Sequence, residues 1–139
     1  MLVLVCGGRD YGDVVTKGKL PEKVEEYRNV FRVLDSFAVE NSIYFLPVDN
    51  WLPSDIEIIS GMARGADSVA VDWAVVNWCK VHEYPARWKE YGKRAGILRN
   101  KQMLEEGKPD VVIAFPGGKG TANMIKIAEE AGVRVVRVT

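Results

Sequence analysis

Residues 2–8 read LVLVCGG, a continuous apolar run that stops at a glycine pair. An apolar run without alternation predicts a strand buried on both faces, as in a parallel sheet covered by helices. Further short strands are predicted at 56–59, 81–84, 110–115 and 134–138. The first strand therefore sets the fold class, and the others extend its sheet.

Helical patterns separate these strands. Apolar side chains recur at helical spacing within 21–39, and helices are also predicted at 66–79, 93–106 and 121–131. The alternation predicts an α/β protein of the Rossmann-like, three-layer α/β/α kind. Its mainly parallel sheet has about five strands in the order 3-2-1-4-5.

The whole chain, 1–139, is expected to form one domain, since 139 residues fit a single core. Prolines interrupt the apolar residues of 41–55, so this stretch is predicted to be an insertion. It is interpreted either as a packed insertion or as a lid or partner-binding surface.

The overall charge limits the classes of partner. The chain carries 19 basic and 19 acidic side chains. A zero net charge argues against a dedicated DNA-binding or membrane-surface role, since polyanion affinity rests on excess Lys and Arg. The chain has no apolar run of membrane-spanning length and enters a strand directly, so we expect a cytoplasmic protein.

Glycine-bearing loops follow three of the predicted strands. Glycine lets a ligand approach the backbone closely, and free N–H groups at the start of a helix attract anions. In the predicted strand order, the loops after the first and fourth strands face each other across one crevice. We therefore predict a phosphate-binding site that includes Gly7, Gly8, Gly61, Gly65, Gly117, Gly118, Gly120 and Thr121.

Charged and aromatic side chains near these loops complete the predicted site. Arg9, Arg64, Arg99 and Asn100 are predicted to contact the ligand, and Trp88 either stacks on a base or packs in the protein. Asp10 and Asp67 are the candidate acid–base residues, although each also has an ordinary structural reading as a turn or helix-start acid.

The chain offers no metal or nucleophile constellation. It has one histidine and two remote cysteines, Cys6 and Cys79. These cannot form a Ser-His-Asp triad, a Cys-His pair or a zinc site. We therefore predict no metal and no cofactor.

Four ordered segments resemble one known family: 6–11, 60–67, 88–100 and 115–124. They are similar to the YspA-like (cpYpsA-related) branch of the SLOG superfamily, which is found in bacteria and phages. The resemblance implies a Rossmann-like fold that binds nucleotides or nucleotide-derived signals. Some relatives pair through helices, so the resemblance also makes a homodimer an expected possibility.

Better-known SLOG proteins include LOG-type phosphoribohydrolases and DprA-type proteins that bind single-stranded DNA. The LOG motif is Pro-Gly-Gly-x-Gly-Thr-x-x-Glu, and residues 116–121 supply all of it except the glutamate, whose position holds Met124. A thioether cannot act as a base. The motif therefore supports phosphate binding and weakens the LOG mechanism.

The sequence favours a binding module or sensor for a nucleotide or nucleotide-derived phosphate ligand. The alternative is a nucleotide-processing hydrolase that cleaves an N-glycosidic or phosphate bond with a different catalytic set. A DNA-associated role by analogy with DprA is disfavoured by the neutral charge.

Overall fold

The computed structural model describes residues 1–41 and 56–139. The predicted insertion at 41–55 therefore lies almost wholly outside the described residues. Its first residue, Asn41, is the last residue of a helix.

The described residues form a five-stranded parallel sheet in the order β3-β2-β1-β4-β5, which confirms the predicted fold class and strand order. The strands are β1 (Leu2–Cys6), β2 (Glu57–Ser60), β3 (Val81–Glu83), β4 (Val111–Ala114) and β5 (Arg134–Arg137). Cys6 pairs with Ala114 and Val5 with Ser60, so the carboxyl ends of three neighbouring strands are level. The loops that follow these strands consequently share one edge of the sheet.

Helices cover both faces of the sheet. They are α1 (Pro21–Asn41), α2 (Ala66–Val76), α3 (Trp88–Tyr91), α4 (Ala95–Gly107) and α5 (Lys119–Glu130). One core joins α1 and α2 to the face bearing Val3 and Val5. A second joins α4 and α5 to the face bearing Leu4 and Cys6. Apolar side chains on both faces explain why the central strands lack alternation.

Several helix boundaries differ from the sequence prediction by one to three residues, and α2 ends at Val76 rather than at 79. Pro85 and Gly92 bracket a short helix, α3, and a 3₁₀ turn at Gly92–Arg94 precedes α4. The fourth predicted helix begins at Lys119 rather than Thr121, with Gly118 at its N-cap. Within the described residues, no helix is long and apolar enough to cross a membrane.

Candidate functional site

Three loops meet where the strand order reverses between β1 and β4. The N–H of Gly8 donates to the carbonyl of Pro116 at 2.9 Å, which joins the loops after these two strands. The carbonyl of Gly8 accepts from the N–H of Ala66 at 3.3 Å, which joins the first loop to the start of α2. This is the place where open parallel sheets bind ligands.

The glycines of these loops fall into two groups. A Cβ at Gly7 would lie closer than 3.0 Å to Ala66, and one at Gly117 would overlap the hydroxyl of Thr121. At Gly118 and Gly120, nothing lies within 4 Å of the Cβ position. The first group is needed for the loops to pack together, whereas the second leaves open space beside the start of α5.

Gly65 has the strictest requirement for glycine. Its φ is +76°, and a Cβ there would overlap the carbonyl groups of Gly8 and Arg9. Glycine adopts this conformation without a steric penalty, whereas a residue with a Cβ does not. Gly65 therefore allows α2 to begin directly against the first loop.

The loop after β2 is held by buried polar groups. Ser60 is fully buried, donates to the carbonyl of Asp67 at 3.2 Å and accepts from the N–H of Met62 at 3.1 Å. Met62 has a φ of +60°, which is uncommon for a residue with a side chain. The carboxylate of Asp67 accepts from the N–H of Ala63 at 3.3 Å. These bonds fix the loop in a compact turn beside the crevice.

Arg99 and Asn100 tie α4 to two of the loops. Arg99 donates from Nη1 to the carbonyl of Gly61 at 2.5 Å. The buried amide of Asn100 donates to the carbonyl of Gly120 and to Oδ1 of Asn123, both at 3.1 Å. The structure thus brings both residues to the crevice. Asn123 is a contact that the sequence analysis missed, and its polar position one turn into α5 was the available signal.

Arg9 lies with its guanidinium carbon 4.9 Å from the centre of the Trp88 ring, a cation–π contact. Trp88 is 47% exposed. The prediction left stacking and packing open for Trp88, and Arg9 is the group that its ring contacts. Both side chains lie at the outer rim of the crevice.

Asp10 and Arg64 are exposed side chains in the first and second loops. Asp10 is exposed, and its carboxylate lies 3.6 Å from Nζ of Lys17. Arg64 is exposed, and its charge helps to lower the pKa of Asp13, whose main stabilising contact is the Thr16 side chain. The predicted roles of Asp10 and Arg64 at the ligand remain predictions.

Asp67 is a buried acid whose charge interacts with those of Arg99 and Arg9. Burial raises its pKa to about 6, against the opposing influence of Arg99, the Ala63 N–H and Arg9. Burial also raises the pKa of the Cys6 thiol to about 12 and lowers the pKa of Arg99. Asp67 therefore combines burial, a titration range near neutrality and two neighbouring cations.

Thr121 and Met124 lie on the inner side of α5. Thr121 is buried under Gly117. The side chain of Met124 is fully buried in the second core. The position that carries glutamate in the LOG motif is thus a core position in this chain. Among the described residues, no group of acidic, His and Cys side chains is arranged to hold a metal.

A cleft of about 420 Å³ lies beyond β3. It runs along one face of α4 from Ala95 to Glu106, and Arg99 forms part of its wall. Arg87, Tyr91 and Gln102 also line it. The sequence analysis did not identify this cleft, because Pro85, Arg87 and Tyr91 close it against α4 from the stretch where helix α3 was not predicted.

The parallel sheet and its strand-end glycine loops define a Rossmann-like α/β protein. The chain matches the model of the family described as YAcAr: YspA, cpYpsA-related SLOG family, over residues 1–91. It belongs to that family, which confirms the resemblance. Family membership points to nucleotide-related binding or processing. Arg99, Asn100 and the 116–121 loop lie outside the matched residues.

The chain is also similar to the Gene 61 protein of Mycobacterium phage D29. The two are 37% identical over 94 residues, which span 60% of this chain and 72% of the phage protein. No solved structure matches the chain.

Proposed function

We propose that the chain binds the phosphate of a nucleotide or nucleotide-derived ligand in the crevice, as a sensor or binding module. One observation carries the proposal. Loops from three neighbouring strands are hydrogen-bonded together, yet Gly118 and Gly120 leave open space at the start of α5. Unoccupied N–H groups at a helix start bind phosphate oxygens.

The charges around this space suit the same ligand. Burial lowers the pKa of Arg99, and the positive charge of Arg9 lowers it further. The two cations are therefore close enough to repel each other. Two cations held close together repel, and a phosphate between or beside them relieves that repulsion. The negative charge of the phosphate would thus offset the positive charges of Arg9 and Arg99.

Gly118 allows a matched test of phosphate binding. A side chain fits there without contacts, and both Asn and Asp are favourable N-cap residues. Gly118→Asn and Gly118→Asp should therefore fold alike and differ only in charge. Either capping side chain takes an N–H group that the phosphate would use, so both variants should bind AMP more weakly than the unmodified protein. We expect Gly118→Asp to bind AMP at least about tenfold more weakly than Gly118→Asn, because its carboxylate also repels the phosphate.

Calorimetric titration and thermal melting would measure these affinities with AMP, adenosine and inorganic phosphate. AMP should raise the melting temperature and adenosine should not, because the phosphate is the group recognised. The proposal fails if neither AMP nor a panel of other nucleotides shifts the melting temperature. Equal binding by the two Gly118 variants would also refute it.

A hydrolase that processes nucleotides is the second candidate, and Asp67 favours it. A buried acid with a pKa near neutrality, beside a crevice and two arginines, is typical of a general acid or base. Chromatography of AMP incubated with pure protein would detect free adenine or phosphate. Turnover that Asp67→Asn abolishes would support this candidate, and intact AMP after prolonged incubation would exclude hydrolysis of that nucleotide.

A further inference from the structure

The segment 85–101 has a net positive charge, which acidic residues elsewhere in the chain balance. It contains six basic side chains and one acidic one, Glu90, in a chain of zero net charge. Two half-exposed aromatic rings, Trp88 and Tyr91, lie among them at 47% and 44% exposure. We name as the basic face the exposed cations and aromatic rings of 87–94: Arg87, Trp88, Lys89, Tyr91, Lys93 and Arg94. The acidic Glu90 is exposed among them.

Most cations of the basic face have no acidic partner. Arg87 lies 3.5 Å from Glu90. Within 1–41 and 56–139, Lys89, Lys93 and Arg94 form no ion pair. Unpaired cations such as Lys80 and Lys126 also occur elsewhere among the described residues, but those of the basic face lie close together within 87–94. The uncompensated charge makes this face a local source of positive potential.

The aromatic rings indicate which polyanion fits. Trp88 and Tyr91 are three residues apart on α3, so they project from neighbouring positions on the helix. Unpaired bases stack on such rings, whereas the bases of a duplex are already stacked within the helix. Cations flanking stacking rings are the pattern of single-strand binding surfaces.

We propose that the basic face binds single-stranded nucleic acid. Trp88 and Tyr91 stack on unpaired bases, and Arg87, Lys89, Lys93 and Arg94 neutralise phosphates. The proposal shares Trp88 with the rim of the crevice, where Arg9 lies 4.9 Å from the centre of its ring, but its four cations lie outside the predicted crevice site. It departs from the expectation drawn from net charge, because a sum over the chain averages a positive face with acidic surfaces elsewhere.

Fluorescence anisotropy tests the proposal with labelled dT20, rU20 and a 20-base-pair duplex, from 50 to 200 mM NaCl. Three or four phosphate contacts on a single strand predict a log–log salt slope of about −2 to −3. We expect binding to one or both single strands at least about fivefold tighter than to the duplex. The DNA and RNA arms identify which single strand is preferred.

Two charge-matched double variants locate the site. Lys93→Gln with Arg94→Gln should weaken single-strand binding at least about fivefold and reduce the slope by about 1.4. Lys80→Gln with Lys126→Gln removes the same charge from exposed positions outside the face and should change affinity less than about twofold. Trp88→Leu with Tyr91→Leu should weaken binding at least about tenfold.

Three results would overturn the proposal: no single-strand binding at 50 mM NaCl, equal affinity for duplex and single strand, or equal weakening by the two charge variants. Circular dichroism confirms that each variant is folded. AMP titration of the Lys93→Gln, Arg94→Gln variant separates the two proposals, since we expect its crevice to bind as the unmodified protein does.

Discussion

Arg99 donates a hydrogen bond from its guanidinium group to the carbonyl of Gly61, across 2.5 Å and between α4 and the end of β2. The contact needs glycine, because a Cβ on Gly61 would lie closer than 3.0 Å to three atoms of that guanidinium group. The absence of a side chain at Gly61 therefore decides where the positive charge of Arg99 lies.

Gly61→Ala should displace Arg99 while leaving the fold intact. The obstructed atoms are the end of a flexible side chain, so we expect a loss of no more than about 1 kcal/mol in the free energy of unfolding. AMP affinity, measured by calorimetry, should fall about tenfold because the charge has moved.

Gly96→Ala is the control for that substitution. Its Cβ would meet only the Trp88 ring, at an ordinary 3.5 Å, and alanine favours the helix. Unchanged AMP binding by Gly61→Ala would contradict a role for the position of Arg99.

Gly65→Ala should be far more damaging than the same change at Gly132. Both residues have a φ of +76°, but only Gly65 would place its Cβ against main-chain carbonyl groups. Gly132→Ala should cost about 1 kcal/mol, the usual penalty of a left-handed conformation. Gly65→Ala adds a backbone clash, so we expect a loss of at least about 3 kcal/mol or failure to fold.

Urea denaturation of the two variants measures the difference. A similar cost at both positions would mean that the loop can move away from α2, and that Gly65 is needed only for its backbone conformation.

The sequence was sufficient to predict the sheet, because its signals are local and strong. The apolar run of β1 and the helical period of α1 each require burial on particular faces. The strand order 3-2-1-4-5 is the one typical of doubly wound sheets, in which helices cover both faces. Helix α3 was missed because four residues between Pro85 and Gly92 are too few to show a helical period.

The site was predicted only in part, since strand-end position does not fix side-chain direction. Arg9 lies at the crevice, whereas the neighbouring Asp10, which follows the same strand, has its carboxylate 3.6 Å from Nζ of Lys17. Turn geometry decides which way such residues point, and their positions in the sequence do not reveal it. The buried contacts of Asn100 were likewise not visible from helical spacing alone.

Asp67 should make the protein less stable as pH rises. Burial raises its pKa in the folded state to about 6 from 3.8, so the folded state binds the proton more tightly than the unfolded state. Stability is therefore lost as pH rises from about 4 to 6, by up to about 3 kcal/mol. Asp67→Asn lacks this titration, so its stability relative to the unmodified protein should increase over the same range.

Urea denaturation of both proteins between pH 4 and 7 gives that difference directly. Asp13→Asn, measured below about pH 4, provides a difference of the opposite sign, because the pKa of Asp13 is lowered from 3.8, chiefly by the Thr16 side chain. Asp13 stabilises the fold above the unfolded pKa and loses that contribution in acid. A pH-independent difference for Asp67→Asn would show that Asp67 does not titrate in this range.

Met124→Glu restores the residue type of the LOG motif but should not create a LOG-type enzyme. Met124 is fully buried beside Leu4, Cys6 and Met103, where a carboxylate has no partner. We expect a loss of roughly 3–5 kcal/mol in the free energy of unfolding at pH 7, and a smaller loss in acid where the glutamate is neutral. Met124→Leu conserves apolar volume and should cost less than about 1.5 kcal/mol. Denaturation of both variants, with chromatography for adenine released from AMP, tests whether position 124 faces the core. A stable Met124→Glu variant that releases adenine would show that position 124 can reach the crevice.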